Sequence, residues 1–170
     1  MSVAHVALGA NLGNPVATLK AAIAELAALP EARLLTASSL YRTAPVGLKH
    51  QPDFINAVVA LEITDTTRLS PHHLLDELFI IEARFGRQRS LPNAPRTLDL
   101  DLLLYDDMAL DEVLLTLPHP RMHLRAFVLA PLLEITQSGD ITIPGRGSAR
   151  GLLARCADQP IERLTNAAHS

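Results

Sequence analysis

A strict alternation of polar and apolar residues over positions 97–102 constrains the fold of this chain more than any other feature. An alternation with a period of two is typical of a β-strand. On a strand, Asp99 and Asp101 share one face while the leucines between them point into the core. The Cα atoms of two such residues lie roughly 6.5–7 Å apart, whereas on a helix the two side chains would point to different faces. The pattern therefore predicts two carboxylates side by side on one face of a sheet.

Arginines crowd the stretch just before this acidic strand, at Arg84, Arg87, Arg89 and Arg96. Two carboxylates on neighbouring positions of one face can bind one or two hard cations about 3.5–4 Å apart. Carboxylates for metal beside arginines for phosphate form the combination that phosphoryl transfer needs. The plainer alternative is a half-buried strand whose outward aspartates have no function.

Composition limits the class of protein. The chain has 170 residues, of which 48% are hydrophobic and 19% charged, and this predicts a single globular domain spanning residues 1–170. The net charge of −3 argues against a general nucleic-acid binder. The lone Cys156 excludes an internal disulfide and favours a reducing cytoplasm. The sequence predicts neither a signal peptide nor a membrane span.

The order of elements predicts an α+β protein with a ferredoxin-like core. Asn14-Pro15 and Ser70-Pro71 each pair an N-cap with a proline at the first helical position, and Gly86 fits the end of the second helix. The resulting β-α-β-β-α-β order places two helices on one face of an antiparallel sheet. The predicted core elements are strands 3–8, 33–41, 54–63 and 96–105 and helices 15–29 and 71–85. Beyond the core we expect a strand at 113–117, a helix at 125–135 broken near Pro131, an edge strand at 141–143 and a helix at 147–156.

The turn after the first strand is not a phosphate-binding loop of a known type. Residues 9–15 contain neither a Walker Lys-Ser/Thr pair nor a Gly-x-Gly-x-x-Gly pattern. Asn11, within this turn, is interpreted as structural. Glu82, at the end of the second helix, is expected to support Arg87 or the arginine-rich loop.

The run from Pro95 to Leu102 resembles the signature of the 6-hydroxymethyl-7,8-dihydropterin pyrophosphokinase family of folate biosynthesis. Weaker resemblances to the same family occur in the same order along residues 1–137. They are Ala7–Gly13, Tyr41–Pro45, Gln51–Ala57, Ile81-Glu82, Gly86-Arg87 and Pro118-His119.

The resemblance implies an enzyme that transfers the terminal diphosphate of ATP to the hydroxymethyl group of the pterin and releases AMP, using two Mg²⁺ ions. It implies that Asp99 and Asp101 are the metal ligands and that Arg87 and Arg96 are catalytic arginines holding the polyphosphate. For the nucleotide it implies roles for Arg89, Thr116, His119 and Arg125. For the pterin it implies the ring pair Phe54 and Phe127, the side chain of Asn56, and backbone groups of Thr43, Ala44 and Val46.

Three features of the sequence depart from what is common in the family. Pro92-Asn93 stands where a tryptophan is frequent in the arginine loop, Pro120 replaces an aromatic residue after the histidine, and Leu114 replaces a basic residue.

Two other functions fit the same sequence features. One is a different two-metal phosphohydrolase or nucleotidyl transferase built on the acidic strand. The other is a non-catalytic nucleotide- or pterin-binding module, since a ferredoxin-like fold hosts many functions. In the preferred interpretation the chain is a cytoplasmic monomer whose partners are ATP and the pterin, with no nucleic acid or membrane.

Overall fold

The computed structural model describes residues 1–45, 50–86 and 97–164. Its centre is a six-stranded antiparallel sheet with helices on both faces. The helices are α1 (Pro15–Ala27), α2 (Pro71–Arg84), α3 (Ala126–Glu134) and α4 (Ala149–Ala154). The sheet strands are β1 (Ser2–Ala10), β2 (Ala32–Ala37), β3 (Tyr41–Thr43), β4 (Phe54–Ile63), β5 (Asp99–Tyr105) and β10 (Glu162–Arg163). Two small hairpins pair β6 (Leu110–Asp111) with β7 (Thr116–Leu117) and β8 (Thr142–Ile143) with β9 (Gly147–Ser148).

The strand order confirms the predicted ferredoxin-like core. The sheet runs β10-β3-β4-β1-β5, with β2 also pairing with β4, and all of these pairs are antiparallel. The central strand β1 therefore lies between β4 and the acidic strand β5. This order brings the end of β1, the start of β4 and the start of β5 to the same edge of the molecule.

The predicted second strand, 33–41, is divided into β2 and β3. Between them the buried Ser38 bonds to β4 twice: its N–H donates to the Val58 carbonyl at 2.9 Å, and its Oγ accepts the Val58 N–H at 2.9 Å. Because a side-chain hydroxyl replaces a backbone carbonyl in the ladder, regular pairing stops there. The prediction of one continuous strand was wrong at this point.

The sheet separates two hydrophobic cores. Alternate residues of β1 and β4, such as Val6 and Val59, pack against α1 and α2 in the first core. The opposite face, with Ala7 and Val58, packs against α3 and α4 in the second core. Burial on both faces explains why β4 is almost entirely apolar.

The predicted starts of α1 and α2 are confirmed by their N-caps, whereas α1 ends at Ala27, two residues before the predicted end. Asn14 Oδ1 accepts the Ala17 N–H at 3.2 Å, and Ser70 Oγ accepts the His73 N–H at 3.3 Å. Gly86 follows α2 with φ of 76°, the left-handed conformation that a glycine after a helix adopts easily.

Predictions for the C-terminal third were less accurate. The expected strand 113–117 is instead the turn and second strand of the β6–β7 hairpin, with Val113 and Leu114 exposed at its tip. The helix does not break at Pro131 but continues through it. The packing of its buried face on the sheet stabilises the helix by more than the loss of one backbone hydrogen bond at the proline costs. Strand β10 had no counterpart in the prediction.

Within the three described ranges, none of the helices combines the length and the apolar character that crossing a membrane requires.

Candidate active site

Four residues form a row across four adjacent strands on the face that α3 covers. Asp99 of β5 lies opposite Gly9 of β1, Gly9 lies opposite Asn56 of β4, and Asn56 lies opposite Tyr41 of β3. Residues directly opposite one another in a sheet point to the same face. The row therefore joins the acidic strand to the strands that carry the predicted pterin contacts.

Asp101 lies on the same face, one row further along β5. It is opposite Ala7, and its side chain is 33% exposed. Asp99 is also partly exposed, while Leu100 between them is buried against the other core. The predicted strand and the shared face of the two carboxylates are thus observed in β5.

Glu82 fixes the strand between the two aspartates. Its carboxylate is buried, with 2% of the residue exposed, and its Oε2 accepts the Leu100 N–H at 2.7 Å. The sequence indicated a role for Glu82 beside Arg87 or the arginine-rich loop, and this link from α2 to β5 was not predicted. An acidic residue on the buried stripe of a helix was the signal that could have revealed it.

His119 stands beside Asp101. The backbone N–H of His119 donates to the Leu103 carbonyl at 2.9 Å, and the ring Nε2 lies 3.9 Å from Asp101 Oδ1. Burial, with a smaller contribution from the cations Arg125 and Arg121, lowers the pKa of His119 from 6.5 to about 4, and the nearby Asp99 opposes this shift. Because Nδ1 accepts the Arg121 N–H at 3.1 Å, the neutral ring carries its proton on Nε2, towards Asp101.

The residues expected around the pterin meet at the start of β4. Asn56 is buried and its Nδ2 donates to Thr43 Oγ1 at 2.9 Å, which orients the amide. Phe54 lies opposite Thr43, and Ala44 follows Thr43 on the exposed side of the chain. A Cβ on Gly9 would lie 3.2 Å from Asn56 Oδ1, so a glycine at this position leaves room for the amide.

Arg125 and Phe127 lie at the beginning of α3, on the same side of the sheet as the acidic row. The Arg125 guanidinium carbon is 5.5 Å from the centre of the Phe127 ring. Thr116 lies on β7. Together with Pro118, Pro120 and Arg146 it lines a groove of about 390 Å³. Neither Asp99 nor Asp101 lines this groove.

Four predicted site residues lie outside the described residues: Val46, Arg87, Arg89 and Arg96. Asn11, which was interpreted as structural, donates to Gln51 Oε1 at 2.8 Å and to the Pro52 carbonyl at 2.9 Å. These bonds tie the end of β1 to the segment that leads into Phe54.

Across the described ranges, no group of three or more His, Cys, Asp or Glu side chains is placed to hold a metal ion. The two aspartates nevertheless present hard oxygen donors on one face. This donor set fits Mg²⁺, which proteins usually bind through one or two carboxylates together with substrate phosphates rather than in an all-protein cage.

The fold and this acidic face define a ferredoxin-like protein with a site suited to metal-assisted phosphate chemistry. Residues 5–137 match the family model described as 7,8-dihydro-6-hydroxymethylpterin-pyrophosphokinase (HPPK). The chain belongs to this family.

Curated relatives agree over nearly the full length. The chain is 42% identical over 164 residues to the 2-amino-4-hydroxy-6-hydroxymethyldihydropteridine pyrophosphokinase of Haemophilus influenzae, covering 96% of this chain and 99% of the relative. It is 44% identical over 163 residues to the protein of the same name from Pseudomonas aeruginosa, covering 96% and 97%.

Solved structures support the fold. The chain resembles the Plasmodium falciparum HPPK-DHPS wild type with pterin and p-hydroxybenzoate, with a TM-score of 0.64 and 16% identity. The match covers 92% of this chain and 42% of that longer one, so this chain spans less than half of its length.

Proposed function

We propose that Asp99 and Asp101 hold two Mg²⁺ ions in the pyrophosphoryl transfer that this family performs. The chain is a transferase of folate biosynthesis that moves the diphosphate of ATP to 6-hydroxymethyl-7,8-dihydropterin and releases AMP. The observation that carries the residue assignment is the row from Asp99 through Gly9 to Asn56, with Asp101 beside it. It supports a pterin held by β3 and β4 next to a polyphosphate held at β5.

The pterin side of the site rests on shape and amide recognition. Thr43 fixes the orientation of the Asn56 amide, which can present both a donor and an acceptor to the flat, polar edge of a pterin. Phe54 and Phe127 lie on the same side of the sheet and are proposed to stack on the two faces of its ring. The backbone groups of Thr43, Ala44 and Val46 complete the proposed contacts.

The polyphosphate side uses one neutral and several charged donors. His119 stays uncharged at neutral pH, since its pKa is lowered to about 4, and we propose that its Nε2–H donates to a phosphate oxygen. Arg125, near His119, adds positive charge, and Arg87, Arg89 and Arg96 are proposed to hold the phosphates through bidentate contacts. Thr116 is proposed to contact the nucleotide from β7.

Magnesium, when bound, offsets the negative charge of the triphosphate and favours ionisation of the attacking hydroxyl group. The protein's own contribution is to hold both substrates in line, which is most of what catalysis requires when the transition state is loose. No strong general base is needed for that.

We further propose that residues 1–170 form one domain that works as a monomer in the cytoplasm. The buried, unpaired thiol of Cys156 is consistent with a reducing compartment.

Measurement of AMP release from ATP, with and without hydroxymethyl-dihydropterin, tests the proposal. Pterin-dependent AMP supports the transferase. Orthophosphate formed without pterin would indicate a phosphohydrolase instead, and binding without turnover would indicate a binding module.

The metal assignment is tested by Asp99→Asn and Asp101→Asn. We expect each to lower kcat by roughly a hundredfold or more, because a charge that positions the metal and phosphates is lost. Asp107→Asn, in the exposed turn after β5, is the matched control and should keep full activity. Folded variants of both site aspartates that retain activity within tenfold of the unmodified protein would contradict the assignment.

A further inference from the structure

The side chain of Gln159, far along the chain from the acidic row, reaches the turn from which Arg125 and Phe127 project. Its Oε1 accepts the Ala126 N–H at 2.9 Å, and its Nε2 donates to the Leu124 carbonyl at 2.8 Å. One amide group thus binds the backbone on both sides of Arg125.

Arg125 is the junction between two helical segments and is not helical itself. It ends the short 3-10 helix at Met122–Leu124 and precedes α3, with an extended backbone (φ −123°, ψ 111°) and no side-chain cap of its own. The first N–H groups of a helix have no partner within the helix. Gln159 supplies that partner for α3 and at the same time holds the last carbonyl of the 3-10 helix.

The junction sets the position of two groups in the site. The guanidinium carbon of Arg125 lies 5.5 Å from the centre of the Phe127 ring, so the two side chains are packed together at the start of α3. A rotation of the Arg125 backbone would displace the guanidinium and tilt the Phe127 ring. Both groups therefore depend on the geometry that Gln159 fixes.

The same C-terminal segment also holds the opposite end of α3. Glu134, the last residue of α3, accepts hydrogen bonds from Ser39 and Tyr41. It also forms an ion pair with Arg163 at 2.8 Å. Arg163 lies on β10, which pairs with β3. Residues 159–163 thus fix α3 at both ends relative to β3, although they lie beyond the 5–137 match to the family model.

We propose that Gln159 is a positioning residue for substrate binding, acting through the Leu124–Ala126 backbone on Arg125 and Phe127. This role rests on the proposed function, because it assumes that Arg125 and Phe127 meet the polyphosphate and the pterin. The simpler alternative is that Gln159 only stabilises α3.

Gln159→Met keeps the length of the side chain and removes both hydrogen bonds. We expect the KM values for ATP and for the pterin each to rise about tenfold at a temperature where the protein is fully folded, while kcat changes less than threefold. Gln159→Glu keeps an acceptor for the Ala126 N–H, and the negative charge suits a helix N-terminus, so it should recover part of the loss. Gln137→Met, at an exposed position after α3, is the matched control and should leave both KM values unchanged.

A second measurement does not depend on activity. Amide exchange in the protein without substrates should become faster at residues 126–128 in Gln159→Met and remain unchanged in the control. Faster exchange without AMP release by the unmodified protein would uphold the positioning of α3 while rejecting the proposed reaction. Unchanged exchange and unchanged KM values, or a lower melting temperature with unchanged KM values, would overturn the positioning role.

Discussion

At the scale of single residues, the site depends on small side chains as much as on charged ones. Gly9 lies between Asp99 and Asn56 on the central strand, where any side chain would share the face used by both. From the sequence, Gly9 was predicted to lie in the turn after the first strand, without a role in the site. The structure shows that its missing Cβ leaves space next to the Asn56 amide.

Gly9→Ala tests this use of space. The added Cβ would lie 3.2 Å from Asn56 Oδ1, so the amide must shift while Thr43 still holds its other end. We expect the KM for the pterin to rise about fivefold with little change in the KM for ATP. Gly151→Ala, whose Cβ would meet Ser148 at ordinary contact distances, is the control. Equal KM values in Gly9→Ala and the unmodified protein would show that the space is not used.

At the scale of elements, the acidic strand is held from both sides. β1 pairs with one edge of β5, and α2 reaches it through the buried carboxylate of Glu82. Because Glu82 bonds to the backbone of Leu100, α2 holds the strand at the position between Asp99 and Asp101. Val6 of β1 pairs with Leu102 and His5 pairs with Leu104, so Leu103 forms a bulge that has no partner residue on β1. The Leu103 carbonyl instead accepts the backbone N–H of His119.

The link between α2 and β5 predicts different outcomes for two substitutions of Glu82. Glu82→Leu leaves the buried Leu100 N–H without this acceptor, which should cost about 2 kcal/mol of unfolding free energy and lower kcat. Glu82→Gln keeps an acceptor oxygen and should retain most of both. Denaturant unfolding and steady-state kinetics measure the two effects, with Asp76→Leu on the exposed face of α2 as the control. A Glu82→Leu protein with normal kcat would remove Glu82 from the support of the site.

At the scale of the whole molecule, burial of a histidine against the sheet makes the stability of the fold depend on pH. His5 of β1 is largely buried, its Nδ1 has no hydrogen-bond partner, and burial lowers its pKa from 6.5 to about 4. The folded protein therefore keeps His5 neutral at a pH where the unfolded chain protonates it. The contribution of His5 to stability is complete above pH 6.5 and is lost as the pH falls towards 4.

The expected size of this effect is roughly 2 kcal/mol of unfolding free energy lost between pH 7.5 and pH 5 through His5 alone. His5→Leu removes the titrating group and should flatten this part of the pH profile. His73→Gln, at an exposed position on α2, should leave the profile unchanged. Urea unfolding at a series of pH values measures the difference. An identical acid slope in His5→Leu would show that other groups cause the loss.

The features that the sequence determined by itself are those encoded within a few neighbouring residues. The alternation around Asp99 and Asp101 predicted their strand and shared face, and Asn14-Pro15 and Ser70-Pro71 predicted two helix starts that the structure confirms. The order of these elements was enough for the ferredoxin-like core, because short connections leave few arrangements of β-α-β-β-α-β. The motif around the acidic strand was enough for the family.

Only the tertiary structure decided the contacts between residues far apart in the chain. Four such contacts join distant segments: the hydrogen bonds of Ser38 to β4, the pairing of β10 with β3, the bond from Leu100 to Glu82, and the bond of Gln159 to the turn before α3. Such contacts exist because the sheet brings these segments together, and a polar side chain then takes whichever buried backbone group would otherwise lack a partner. No local pattern specifies which partner that is.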